Sequence, residues 1–154
     1  MIGHVHLKVG DLERAVRFYT DMLGFEVQQR WGDSAAFLSA GGYHHHIGLN
    51  TWESKGGRPP ARNTTGLYHF AILFPNRREL ARAFKRLIDH EWPIDGAADH
   101  GVSEAIYLRD PDGNGIEIYR DRPREEWPLT PEGQLAMMSA PIDFDGLLAE
   151  LDED

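Results

Sequence analysis

The sequence predicts an α+β fold in which two β-α-β-β-β repeats form one domain with a concave half-barrel sheet. Three observations support this fold class. The chain has 154 residues, a usual length for one domain, and its 41% hydrophobic content is enough to bury a core. A strand-like segment followed by a helix-like segment occurs twice, once near the start and again from residue 69. Short extended segments follow each helix.

The first repeat unit spans about residues 1–50. It begins with the alternating segment His4–Val9, which predicts a strand. Asp11 is a suitable N-cap for the helix that follows, in which apolar residues recur at helical spacing, and Gly24 closes that helix. Extended segments then predict strands at about 25–30, 36–40 and 44–50.

The second repeat unit, about residues 66–121, follows the same plan. The segment His69–Phe74 predicts its first strand, and a turn at Pro75 and Asn76 leads into a second amphipathic helix. Further strands are predicted at about 92–95, 104–109 and 115–120. The two units together make up a predicted domain over residues 1–121.

Two segments lie outside the repeats. The linker 51–65 is rich in Gly, Pro and polar residues, as expected of a connection between units. The C-terminal extension 122–154 contains a predicted short helix, Phe144–Leu151, and finishes with acidic residues. We interpret this extension as a packing surface or a dimer surface.

Composition restricts the chemistry that this chain can perform. It has no cysteine, so any metal must be held by imidazole, carboxylate, carbonyl or water, and eight histidines are available. A net charge of −9 without a basic block argues against a nucleic-acid partner. We expect no leader segment, because the opening run Met1–His4 is amphipathic, and no apolar stretch reaches the roughly 20 residues that span a bilayer. We therefore expect a cytoplasmic protein with no membrane partner.

Strand alternation places three candidate metal ligands on one face of the predicted sheet. Apolar residues at alternate positions pack on the helices, which leaves His4, His69 and Glu117 pointing the other way. Two imidazoles and one carboxylate on adjoining strands suit Fe(II), Mn(II) or Zn(II) and leave coordination positions open for substrate and dioxygen. A single strand histidine is more often an ordinary polar residue, and Glu117 would also fit as an exposed strand carboxylate. The residues by themselves leave both interpretations open.

The motifs resemble those of the vicinal oxygen chelate superfamily, which includes glyoxalase I, bleomycin-resistance proteins, fosfomycin-resistance transferases and type I extradiol dioxygenases. The resemblance covers about residues 2–121 and rests on His4 ahead of Val9-Gly10-Asp11-Leu12, on Phe18-Tyr19 with Leu23-Gly24-Phe25, on Gly66-Leu67-Tyr68-His69-Phe70, and on Asp110-Pro111-Asp112-Gly113 followed by Glu117-Ile118-Tyr119. It implies a single vicinal oxygen chelate domain whose metal is held by His4, His69 and Glu117.

A second resemblance concerns the reaction. The stretch from His100 to Glu117 is similar to the pattern of extradiol ring-cleavage dioxygenases, and the chain as a whole looks most like the N-terminal half of Bacillus-type catechol 2,3-dioxygenases. It implies that His100 and Tyr107 contact the substrate and that His46 serves as acid and base. Fe(II) is then the expected metal, a small aromatic diol and dioxygen are the expected substrates, and a homodimer is the expected assembly. Ala98 departs from the pattern, and a single domain stands where such enzymes usually have two.

Other functions remain open at this point. A fosfomycin-type thiol transferase would use the same three ligands, whereas a glyoxalase-like isomerase takes a fourth, carboxylate ligand where residues 46–48 here are His, Ile and Gly. A bleomycin-resistance-type protein would bind an aromatic drug without needing a metal. We interpret three further histidines and two tryptophans as ordinary surface or packing residues: His6, His44, His45, Trp52 and Trp92.

Overall fold

The structure is a computed structural model that describes residues 1–152. Glu153 and Asp154, which close the predicted extension, lie outside the described residues. The chain divides into two compact units. The first comprises Met1–Tyr68 together with the short segment Asp110–Asn114, and the second comprises His69–Arg109 and the chain from Gly115 onward.

The first unit contains one helix and one four-stranded sheet. Its elements are β1 (Val5–Lys8), α1 (Leu12–Arg17), β2 (Glu26–Trp31), β3 (Ala35–Ser39) and β4 (Ile47–Asn50). The strand order is β1-β4-β3-β2, in which β1 is parallel to β4 and the other pairs are antiparallel. This is the predicted β-α-β-β-β order.

The first helix begins and ends where the sequence predicts. The Asp11 carboxylate accepts a hydrogen bond from the Arg14 amide at 3.1 Å, which satisfies one of the free amides of the first turn. After Arg17 the chain continues through a π-helical turn, Phe18–Met22. Gly24, at φ 81°, then ends the helix and donates its amide hydrogen to the Thr20 carbonyl.

The second unit repeats the plan of the first. Its elements are β5 (Phe70–Leu73), α2 (Arg77–Asp89), β6 (Ile94–Asp99), β7 (Ser103–Arg109) and β8 (Gly115–Asp121), followed by a short 3₁₀ turn (Arg124–Glu126) and α3 (Phe144–Ala149). The strand order β5-β8-β7-β6 matches that of the first sheet, with β5 parallel to β8. Each sheet is open, and the described residues therefore confirm the predicted α+β repeat without a closed barrel.

Each unit has its own apolar core. In the first unit the largest fully buried side chains are Tyr19, Leu38, Ile47 and Leu49. In the second the apolar ones come from α2, the central strands and the terminal helix: Leu80, Leu87, Ile106, Leu108, Ile116, Ile118 and Leu147. The faces that alternation assigned to the core in β4 and β8 are thus buried, which leaves Glu117 on the other face of β8.

Two strands differ from their predicted bounds. β4 begins at Ile47 rather than near residue 44, although the His46 amide still donates to the Leu38 carbonyl at 2.8 Å. β6 covers Ile94–Asp99 rather than 92–95. Its Gly and Ala residues are weak strand formers, so the extension reflects pairing with β7 and not local preference.

The helices within residues 1–152 include none that is both long and apolar enough to cross a membrane.

Candidate metal and catalytic site

The second unit brings together two predicted metal ligands. β8 lies between β5 and β7, so Glu117 pairs with Ala71 on one side and with Tyr107 on the other. Paired residues share a face of the sheet, and His69, two residues before Ala71, lies toward the same face. His69 Nε2 is 3.0 Å from Glu117 Oε2, and both side chains are largely shielded from solvent.

The same unit places both predicted substrate-contacting residues beside this pair. The Tyr107 ring centroid lies 5.8 Å from that of His69. His100 follows β6 directly, and its Nε2 lies 2.8 Å from the Tyr107 hydroxyl oxygen. Four of the six predicted site residues therefore lie in one part of the second unit.

The Tyr107 hydroxyl is kept neutral by its surroundings. Partial burial raises the pKa of Tyr107, and the nearby Glu117 carboxylate raises it further because a phenolate there would be repelled. Burial, followed by the Asp121 and Glu117 charges, also raises the pKa of Tyr119. At neutral pH, Tyr107 is therefore a protonated hydroxyl that can form hydrogen bonds in both directions.

The other two predicted site residues lie in the first unit. His4 is exposed just before β1, and its ring centroid is 4.4 Å from that of His45. His46 Nδ1 accepts a hydrogen bond from the Ala40 amide at 3.2 Å. Since Nδ1 is an acceptor, a neutral His46 ring carries its hydrogen on Nε2, which is then a hydrogen-bond donor.

His6, which we predicted to be an ordinary surface or packing residue, has a specific hydrogen-bond partner in the first unit. The amide nitrogen of the Asn50 side chain lies 2.8 Å from His6 Nε2, which fixes the ring over Gly48. A Cβ at Gly48 would lie 2.8 Å from His6 Nδ1, closer than such atoms approach each other. A carboxylate side chain at position 48 would therefore require the His6 ring to move.

The donor atoms of the His69–Glu117 pair fit a divalent metal. Adjacent ligands of an octahedral ion with bonds of about 2.1 Å lie about 3.0 Å apart. The imidazole nitrogen and carboxylate oxygen stand 3.0 Å apart. Over residues 1–152, no three His, Asp or Glu side chains form a group that could hold a metal. His4, the third predicted ligand, belongs to the first unit, so its assignment stays a prediction.

One part of the site was not found by sequence reasoning. The C-terminal extension, interpreted as a packing or dimer surface, places the Met138 carbonyl oxygen 2.9 Å from His100 Nδ1. Because this bond is made by a backbone oxygen, the identity of residue 138 carries no signal for it. The contact of His45 with His4 was likewise not anticipated.

Comparisons with known proteins agree with the resemblance of the motifs. The model of the Glyoxalase/Bleomycin resistance protein/Dioxygenase superfamily matches residues 1–118. Over 149 residues the chain is 47% identical to a catechol-2,3-dioxygenase of Bacillus subtilis, and the match covers 97% of the chain and 51% of that protein. Over 136 residues it is 29% identical to a manganese-dependent 2,3-dihydroxybiphenyl 1,2-dioxygenase of Geobacillus genomosp. 3, covering 86% of the chain and 39% of that protein.

A solved structure also shares the fold. A glyoxalase/dioxygenase from Nostoc punctiforme superposes with a TM-score of 0.67 at 20% sequence identity, covering 80% of the chain and 92% of that protein. At this identity the likeness concerns the fold alone. The chain spans about half the length of the Bacillus subtilis relative and less than half of the Geobacillus relative.

Proposed function

Because the chain belongs to the glyoxalase/bleomycin resistance protein/dioxygenase superfamily, we propose that it is a metal-dependent extradiol dioxygenase that cleaves the ring of a catechol-type substrate with dioxygen. The observation that carries this proposal is the hydrogen-bonded pair His100–Tyr107, at 2.8 Å, beside His69 and Glu117. The two proposed metal ligands His69 and Glu117 would by themselves serve many reactions of the superfamily. The Tyr107 hydroxyl and the His100 imidazole beside them suit a substrate that presents two oxygens. Both relatives are named as dioxygenases of aromatic diols.

The proposed metal ligands are His4, His69 and Glu117. Imidazole and carboxylate donors suit Fe(II), Mn(II) and Zn(II). We favour Fe(II), while the name of the manganese-dependent relative makes Mn(II) the first alternative. When bound, such a metal would supply adjacent positions for the two diol oxygens and for dioxygen.

The protein side chains have distinct proposed roles. Tyr107, neutral and partly buried, hydrogen-bonds a substrate oxygen and so fixes how the diol lies in the site. His100 orients the Tyr107 hydroxyl through their shared hydrogen bond. His46 is the proposed acid and base; the Ala40 amide binds its Nδ1 lone pair, so the ring takes up a proton only when that hydrogen bond is released. The proposed assembly is a homodimer.

Oxygen consumption tests the proposal directly. The full chain is loaded anaerobically with Fe(II) or Mn(II), mixed with catechol, alkyl-substituted catechols or 2,3-dihydroxybiphenyl, and then exposed to air. We expect oxygen uptake together with a coloured ring-fission product. The absence of uptake with every diol and both metals would contradict the proposal.

Two matched histidine variants provide the controls. His69→Gln removes a proposed ligand and should abolish uptake. His90→Gln alters an exposed histidine at the end of α2 and should leave uptake unchanged. Thiol transfer, glyoxalase-type isomerisation and drug binding consume no oxygen, so the same measurement separates those alternatives from the proposed reaction.

A further inference from the structure

Part of the C-terminal extension lies along the loop that carries His100. The Asp99 amide donates to the Ala140 carbonyl at 2.8 Å, and the Ala140 amide donates back to the Asp99 carbonyl at 2.9 Å. The Met138 amide donates to the His100 carbonyl at 3.1 Å. A Cβ at Gly101, where φ is 78°, would lie 2.7 Å from Pro128 Cγ, so only glycine allows this approach.

The Met138 carbonyl determines which nitrogen of His100 carries the hydrogen. His100 Nδ1 lies 2.9 Å from the Met138 oxygen. A carbonyl oxygen can only accept a hydrogen bond, so Nδ1 must be the donor. In a neutral imidazole the other nitrogen, Nε2, then has a free lone pair.

This tautomer sets the direction of the next hydrogen bond. His100 Nε2 lies 2.8 Å from the Tyr107 hydroxyl oxygen. With a lone pair on Nε2, the Tyr107 hydroxyl must donate to His100. The opposite tautomer would donate to the Tyr107 oxygen and turn the hydroxyl hydrogen toward the substrate.

We propose that the C-terminal extension is a positioning element of the site, because the Met138 carbonyl holds neutral His100 as its Nδ1–H tautomer and so directs the Tyr107 hydroxyl. This inference rests on the proposed function for its catalytic meaning, although the tautomer itself does not depend on any reaction. The Tyr107 oxygen keeps its lone pairs for the substrate. It therefore recognises a diol that arrives with one hydroxyl still protonated and able to donate.

The tautomer can be measured by NMR in the full chain. The protein is labelled with ¹⁵N at histidine and saturated with diamagnetic Zn(II), and long-range ¹H–¹⁵N spectra identify the protonated ring nitrogen. The His100 signals are assigned from their loss in His100→Gln. In spectra recorded at a pH where the ring is neutral, we expect hydrogen on Nδ1 and none on Nε2.

Two variants of Met138 separate the backbone from the side chain. Met138→Ala keeps the amide and the carbonyl, so it should preserve the Nδ1–H tautomer. Met138→Pro removes the amide that binds the His100 carbonyl and displaces the Met138 carbonyl, so we expect His100 to shift toward the Nε2–H tautomer. Activity toward the best diol should fall about tenfold in kcat for the proline variant, as one directed hydrogen bond is lost.

Each outcome decides the inference. An Nε2–H tautomer in the unaltered chain overturns it, and that spectrum is decisive even if Met138→Pro fails to fold. A proline variant that folds and keeps the Nδ1–H tautomer also overturns it. If the tautomer is as expected but no diol is cleaved, the proposed function fails while the positioning of His100 by the extension stands.

Discussion

Glu117 lies on the central strand pair of the second sheet, and its neighbours determine what it can do. His69 Nε2 is 3.0 Å from its carboxylate, and Tyr107 is its direct partner across the β7–β8 ladder. The pairing fixes the carboxylate on the face shared with Tyr107, because a one-residue slip of β8 would turn Glu117 to the other face. The ladder thus holds the proposed metal ligand and the proposed substrate-binding residue side by side.

Glu117→Gln tests whether this carboxylate is a metal ligand. The amide has the same shape but no charge, so it should weaken binding of Fe(II) or Zn(II) by more than about 100-fold, beyond the loss typical of residues that only support a ligand. Calorimetric titration under anaerobic conditions measures the affinity. Glu125→Gln, a change at an exposed carboxylate, is the matched control and should bind metal normally.

The same titration separates the ligands from the proposed acid and base. His46→Ala should bind metal as the unaltered chain does while its turnover with a diol slows. Unchanged affinity in Glu117→Gln would remove Glu117 from the ligand set. Loss of metal from His46→Ala would show that His46 is itself a ligand.

Among the elements, α3 anchors the far end of the C-terminal extension to the second unit. Leu147 is fully buried, and the Phe144 ring stacks on Phe84 with centroids 5.1 Å apart. Arg77, at the start of α2, donates to the Gly146 carbonyl at 3.2 Å and to the Glu150 carboxylate at 3.0 Å. A helix of six residues has little stability by itself, so these contacts maintain it.

Leu147→Ala should destabilise the protein by about 2–5 kcal/mol, because it leaves a cavity under α3. Urea unfolding followed by circular dichroism measures the loss. Leu129→Ala, at a side chain that is 62% exposed, is the control and should change stability by no more than about 0.5 kcal/mol. Equal effects of the two substitutions would show that α3 does not pack as described.

Sequence reasoning succeeded where a local signal existed. Asp11 and Gly24 mark the ends of the first helical segment by their own chemistry, and alternation correctly gives the buried face of β8. It failed for β6, where Gly96 and its neighbours become a strand through pairing with β7. It also missed the contact of the Met138 carbonyl with His100, since residues 38 positions apart meet through backbone geometry alone.

Across the whole molecule, chain connectivity links the two units. Arg109 and Gly115 belong to the second unit, whereas the turn Asp110–Asn114 between them belongs to the first. The Asp110 carboxylate orders this turn by accepting hydrogen bonds from the Asp112 and Asn114 amides, each at 2.9 Å. Because a turn sets the register of its hairpin, folding of the first unit supports the hairpin that carries Tyr107 and Glu117.

Tyr19→Phe tests this linkage. The fully buried Tyr19 hydroxyl donates to the Asp110 carboxylate at 2.7 Å, and phenylalanine keeps the shape while removing the bond. We expect a loss of about 1–3 kcal/mol. This loss of stability should be the same when unfolding is followed by the fluorescence of Trp31 and Trp52 in the first unit or of Trp92 and Trp127 in the second. The reason is that one cooperative transition is expected.

The pH dependence of stability gives the same substitution an independent readout. Burial, followed by the charge and hydrogen bond of Asp110, raises the pKa of Tyr19 well above 10.0. A raised pKa in the folded state means that the stabilisation is complete below about pH 10 and is lost as the pH rises beyond it. The free energy of unfolding of Tyr19→Phe should therefore decline less steeply above pH 10 than that of the unaltered chain. Tyr68→Phe, at a side chain that is 92% exposed, is the control and should leave the slope unchanged. Separate unfolding transitions at the two tryptophan pairs would contradict the linkage. If Tyr19→Phe leaves the slope of unfolding free energy against pH unchanged above pH 10, Tyr19 ionises as readily in the folded chain as in the unfolded one.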